Sequence, residues 1–220
     1  MNPLLIRFSA VFALSLGFVH AEEAPKEGHS HFGESFNAGP RQAAVRIAGT
    51  GEVHFPVTTK WEEGQAYFDQ GIGQLHGFWY YEAERTFRQI AANDPDCAMA
   101  YWGMSMANQS NQTRAKGFIA EAKERIEHAS EREKLWIEAR SKYLGEEPKD
   151  KKERQKNLIK DLENIIQEYP DDVEAKAFLV VRLWQFRSSL KINSHQAVDA
   201  LLDQIFAEAP LHPAHHRGVG

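Results

Sequence analysis

An all-α fold is predicted for this 220-residue chain by three observations. Apolar residues recur at a period near 3.6 from Trp61 almost to the C-terminus. Helix-start signals punctuate that period: Asp94-Pro95, Ser130 followed by Glu133, Pro170-Asp171-Asp172 and Ser194. No sustained two-residue alternation occurs, which argues against a sheet. With 42% hydrophobic residues the chain can bury a core, and its single cysteine excludes both an intrachain disulfide framework and a four-thiolate zinc site. A net charge of -5 offers no basic excess to neutralise phosphates, so nucleic acid is not an expected partner.

Residues 1–21 read as a signal peptide, with Arg7, an apolar run from Phe8 to Val19, and cleavage near Ala21-Glu22 after Val19-His20-Ala21. The run is shorter than the ~20 residues of a spanning helix and nothing later replaces it. A periplasmic or secreted protein without membrane insertion is expected. From Glu22 to about Lys60 the chain is rich in Gly, Ser, Asn and Pro and reads as an extended N-terminal arm. Within it, Ala43–Ile47 and Val53–Val57 are short apolar patches suited to lying against the body.

The helical domain, 61–220, opens with Tyr67, Gly71 and Leu75 four apart, beside Phe68 and Ile72. After a break around Gly77, Phe78, Ala83, Phe87 and Ile90 form a second stripe. Asp94 as N-cap and Pro95 as first helical residue start a third helix bearing Ala98, Tyr101, Trp102, Ser105 and Met106, which fades into Asn108–Asn111. Phe118, Ala122, Ile126 and Ala129 mark a fourth. The capping box Ser130–Glu133 opens a fifth, with Leu135, Trp136, Ala139 and Tyr143, stopped by a left-handed Gly145. Glu146–Glu153 reads as a solvated linker. Leu158, Leu162, Ile165 and Ile166 line a sixth helix, Val173, Ala177, Val181 and Trp184 a seventh, and Val198, Leu201, Leu202 and Ile205 an eighth capped by Ser194.

An internal repeat separates a bundle from a solenoid. Placing Ala83, Phe87 and Pro95 at the small, aromatic and proline positions of the tetratricopeptide pattern puts Gly71 at its glycine and Tyr67 at its tryptophan position. Pro170 and Pro210 take the proline role again, with Leu162 and Leu202 eight residues before them, so the repeats are degenerate and lengthened. The fold predicted is a set of antiparallel helical hairpins stacked as a tetratricopeptide-like solenoid. The stretches Phe68-Asp69-Gln70-Gly71, Leu75-His76-Gly77-Phe78-Trp79-Tyr80, Glu82-Ala83-Glu84-Arg85 and Asp94-Pro95-Asp96-Cys97-Ala98-Met99-Ala100-Tyr101-Trp102-Gly103 resemble a family of secreted bacterial tetratricopeptide-repeat proteins. Gly28-His29-Ser30-His31-Phe32-Gly33 and Val53-His54-Phe55-Pro56 extend the resemblance over roughly residues 28 to 216. It implies a fold and no particular activity. Members continue for several helices past a His-Pro-x-x-His element, whereas this chain ends four residues after His216, so a C-terminally truncated domain is an expectation.

A solenoid exposes a concave face lined by the first helix of each hairpin, and capture of a protein or peptide is its default use. Gln70, Gln74, Tyr101, Asn108, Arg182 and Gln185 are the candidate partner-binding residues there, with filling of the hairpin interface the competing role for Tyr101 and Trp102. The histidines suggest a second possibility. His29-x-His31 on the arm and His212-x-x-His215-His216 near the end have spacings that gather imidazoles around one metal, zinc or copper. The competing roles are a solvated arm and a helix cap. His54 and His76 read as packing histidines with local hydrogen bonds. Glu82, Glu84 and Arg85 read as an exposed salt-bridged face, and Cys97 as a buried inert thiol. No nucleophile elbow, Walker loop or dinucleotide fingerprint occurs. The sequence therefore predicts an exported scaffolding module without catalysis of its own and with no cofactor. The alternative is a metal-binding periplasmic protein or metal-dependent enzyme using the terminal histidines.

Overall fold

A computed structural model of the protein describes residues 39, 40 and 42–214. The signal-peptide reading, the first part of the arm, and His29, His31, His215 and His216 lie outside the described residues. Among those described there are eight α-helices and no strand: α1 Gly64–His76, α2 Tyr80–Asn93, α3 Ala98–Ala107, α4 Gln112–Glu124, α5 Glu131–Leu144, α6 Lys151–Glu168, α7 Val173–Leu190 and α8 Gln196–Glu208. Among the described residues no helix is long and apolar enough to cross a membrane. Each helix packs chiefly on the next in sequence, and α1 also meets α3 and α3 meets α5.

The core is aromatic. Phe68 of α1, Phe87 of α2, Trp102 of α3 and Trp136 of α5 are buried, and the Phe68 ring lies 5.3 Å from Phe87 and 6.4 Å from Trp102. Phe178 of α7 joins Trp102 and Trp136 at 6.1 and 5.6 Å. Two glycines permit the close approach of α1, α2 and α3. A Cβ on Gly71 would come within 2.6 Å of the Phe87 ring, and one on Gly103 within 2.5 Å. A smaller apolar cluster of Ala177, Val180, Leu202, Ile205 and Ala214 holds α8 on α7.

Residues 42–60 carry neither helix nor strand and lie against the helices. Backbone groups that find no ladder partner must be satisfied by side chains, and here they are. Gln70 accepts from Ile47 N at 2.8 Å and donates to Val45 O at 3.0 Å. Asp69 and Gln65 take Phe55 N and Val57 N, each at 2.9 Å, and Gln65 donates to Phe55 O at 2.8 Å. Phe55, fully buried, sits 5.2 Å from both Phe68 and Trp136, with the Arg132 guanidinium 4.2 Å over its ring.

Several predicted boundaries shift, each for a local reason. The third helix starts at Ala98 rather than Pro95, because the Asp94 carboxylate is engaged by Thr59 Oγ1 and Lys60 N at 2.8 and 2.6 Å instead of capping. The fourth helix ends at Glu124, with Ile126–His128 a 3-10 turn. Gly145 is extended (φ -62°, ψ 174°), so it does not provide a left-handed stop; among the described residues the left-handed ones outside glycine are Phe78, in the α1–α2 turn, and Lys191, after α7. The linker read over Glu146–Glu153 is already helical from Lys151, because Asp150 accepts from Lys152 N and caps α6. Ser194 Oγ accepts from Gln196 N at the start of α8, with His195 as the N-cap residue. The capping box at Ser130 and Glu133 forms in full, and the Glu133 carboxylate also accepts from Thr58 N at 2.6 Å.

Candidate metal centre

Three distant parts of the chain deliver the site. His76 is the last residue of α1, and Glu174 lies in the first turn of α7. That turn is fixed by Asp172, which accepts from Ala175 N at 3.0 Å and whose other oxygen takes Arg132 Nε at 2.8 Å and Trp136 Nε1 at 3.3 Å. His212 follows α8 in a turn closed by His212 N donating to Ala209 O at 3.0 Å. All three side chains are buried.

The Glu174 carboxylate bridges the two imidazoles. Oε2 lies 2.7 Å from His76 Nε2 and Oε1 lies 2.6 Å from His212 Nε2. The imidazole rings are 5.0 Å apart, and His76 also packs 4.8 Å from Phe178. Burial pushes the Glu174 carboxyl up, but the charge of His76 and the hydrogen bonds from His212 and His76 outweigh it and hold the group down to about 2. Glu174 is therefore ionised at neutral pH. His212 Nδ1 accepts from Ala214 N at 3.1 Å, so the neutral ring carries its proton on Nε2 and donates it to Glu174.

Glu174 and His212 also line a cleft of about 510 Å³ together with Arg46, His54, Asp69 and Gln70. Asp69 Oδ1 is taken by Phe55 N and Gln65 Nε2, while Oδ2 faces His54 Nδ1 at 3.7 Å. Burial raises the Asp69 pKa against those hydrogen bonds, and the Glu174 charge adds to the rise. Two imidazoles and a carboxylate from three elements form a donor set that suits zinc, which takes His nitrogen and Glu oxygen and leaves one position open in reactive sites. One ligand atom from each residue can be chosen so that all lie within 4.8 Å of one another.

The predicted partner-binding residues are occupied inside the molecule. Gln70, Gln74, Tyr101, Asn108 and Arg182 are buried and Gln185 is half-buried, so they form no open polar face. Gln70 holds residues 45 and 47, and Gln74 accepts from Thr86 Oγ1 at 2.8 Å. Tyr101 donates to Pro95 O at 3.2 Å under the Arg125 guanidinium, as a residue filling an interface would. Asn108 joins Glu84 and Arg114, and Arg182 joins Gln185. Glu84 itself is buried between Arg88 and Arg114, which corrects its reading as part of an exposed face.

Of the predicted metal histidines, His212 is in the candidate centre. Its partners are not those its spacing suggested: they are His76, read as a packing histidine with a local bond, and Glu174, which no motif singled out. Comparison with protein-family models, with curated proteins and with solved structures finds no match for this chain.

Proposed function

We propose that the protein binds a transition-metal ion through His76, Glu174 and His212, with zinc the best match to a mixed imidazole and carboxylate set. The convergence of two imidazoles on one ionised buried carboxylate, at the wall of a cleft, carries this reading. Loading exchanges the two buried imidazole hydrogen bonds to Glu174 for bonds to the ion. Ligands at about 2.1 Å around a tetrahedral ion stand roughly 3.4 Å apart, so each imidazole and carboxylate must part by about 0.7 Å. His212 must also move its proton to Nδ1 and give up the bond from Ala214 N, about 1 kcal/mol. Structural zinc sites are worth on the order of 10 kcal/mol or more at neutral pH, with protons released on binding.

The decisive measurement is zinc content of the exported protein purified without chelator, followed by titration of zinc into stripped protein. About one equivalent is expected, lost in His76→Ala and His212→Ala. Protein that emerges metal-free and takes up no zinc at micromolar concentration overturns the proposal.

A second reading, an exported scaffolding module of tetratricopeptide-like solenoid form with residues 22–60 as an arm, is supported by helix order. Successive helices pack as neighbours, and α3 also meets α1 and α5. The amide and carboxylate side chains of α1 that grip residues 45–57 are a means of holding extended chain. A partner protein retained from a periplasmic extract equally with and without EDTA would favour this reading, whereas retention that collapses in EDTA would return function to the metal.

A further inference from the structure

Arg140 of α5 and Arg182 of α7 are each only 4% exposed. Arg85, Arg114 and Arg132 meet carboxylates, but among the described residues no Asp or Glu pairs with Arg140 or Arg182. Their partners are neutral. Arg140 donates from Nε to Ser105 Oγ at 3.1 Å and from Nη2 to Ser105 O at 2.7 Å. Arg182 Nη1 donates to Gln185 Oε1 at 2.5 Å and Gln109 Oε1 at 3.4 Å, and Nη2 points at Met106 Sδ at 3.9 Å.

The two guanidiniums share one locus. Ser105 and Met106 are consecutive residues of α3, and the Arg140 guanidinium lies 6.0 Å from the centre of the Tyr143 ring. Burial first, and then the Arg182 charge, hold Arg140 down to about 9, which still leaves it protonated at neutral pH. A buried charge normally has an opposite charge beside it. Ser105 O lies in the last turn of α3, whose C-terminal end supplies a negative pole equivalent to about half a unit charge. Set against two full positive charges, it leaves more than one uncompensated. Arg140 Nη1 and Arg182 Nε donate to none of the described residues, and neither is sealed from solvent.

We propose that Arg140 and Arg182 form a binding site for a small oxyanion, a carboxylate or a phosphate, at the C-terminal end of α3 between α5 and α7. Guanidinium forks match both groups. Gln109 and Gln185 orient Arg182, and Ser105 orients Arg140. The site is separate from the candidate metal centre and does not depend on it.

The test is calorimetric titration of the full protein, stripped of metal by chelator and then freed of the chelator, with inorganic phosphate and with acetate at constant ionic strength in chloride. Saturable one-site binding of at least one anion is expected. A response to phosphate alone or to acetate alone identifies the source. Arg182→Gln and Arg140→Gln should each raise the dissociation constant at least tenfold, while Arg187→Gln, which removes an exposed arginine of the same helix outside the site, should retain binding. Absence of saturable binding to the wild type overturns the proposal without recourse to any variant. Equal affinity in wild type and both arginine variants overturns it too, because the anion is then adventitious.

Discussion

Cys97 shows how much a single position can reveal. It lies just before α3 and is buried. Burial pushes its thiol up to about 12, against hydrogen bonds from Ala100 and Met99 that favour the thiolate. A thiolate is the reactive form, so a disulfide-exchange reagent at about pH 8 should leave the folded protein untouched and titrate one thiol once it is denatured. The linkage has a definite sign. The folded pKa lies above the unfolded value, so this group's contribution to stability is intact below about 9 and falls away as pH rises towards 12. Folded protein that reacts rapidly would show that the thiol is not sealed. The burial of this thiol could be read from the apolar stretch that follows it. The partners of His76 could not, since Glu174 lies 98 residues away and no spacing rule reaches that far.

At the scale of elements, what was legible followed from local physics. The stripes of Phe68, Phe87, Trp102 and Trp136 lie in the core as their periods require, and Ser130 caps α5 with Glu133 as the short motif demands. What was hidden depended on contacts between elements. Asp94 looks like an N-cap until Thr59 and Lys60 claim its carboxylate, and Gln70 looks like a surface residue until residues 45 and 47 cover it. The glycines at the α1, α2 and α3 contact lie between these cases. Gly71 falls in a four-residue stripe with Tyr67 and Leu75, whereas Gly103 acquires its meaning only from the Phe87 ring pressed against it. Gly103→Ala should therefore lose about 1–3 kcal/mol despite the better helix propensity of alanine. Urea unfolding of the variant checks this, and a gain in stability would mean that Phe87 can shift aside. A paired Phe87→Leu should recover part of the loss, because the steric conflict is with the ring.

For the whole molecule, the His76–Glu174–His212 cluster matters because of what it joins. Sequential helix packing leaves α1 and the segment after α8 at opposite ends of the chain, yet Glu174 holds both through its two oxygens. A metal at this point would bind the folded protein and not the unfolded one, since the unfolded chain scatters the three ligands. It should therefore raise stability by mass action: zinc at a thousandfold excess over its dissociation constant contributes about 4 kcal/mol. For a chain of this length that corresponds to roughly 8–16 °C in the melting temperature. Glu174→Gln should abolish the zinc-dependent rise. It should also lower the melting temperature of the stripped protein, because a neutral amide replaces the ionised acceptor of two buried histidines. His212→Ala should remove the zinc response and, in hydrogen exchange, loosen the α1 C-terminus and the α7 N-terminus together, since Glu174 joins those two ends to the C-terminal turn. A zinc response that survives both variants would place the ion elsewhere. Loosening of residues 209–214 alone would show that the cluster fastens the C-terminal turn without uniting the ends of the fold.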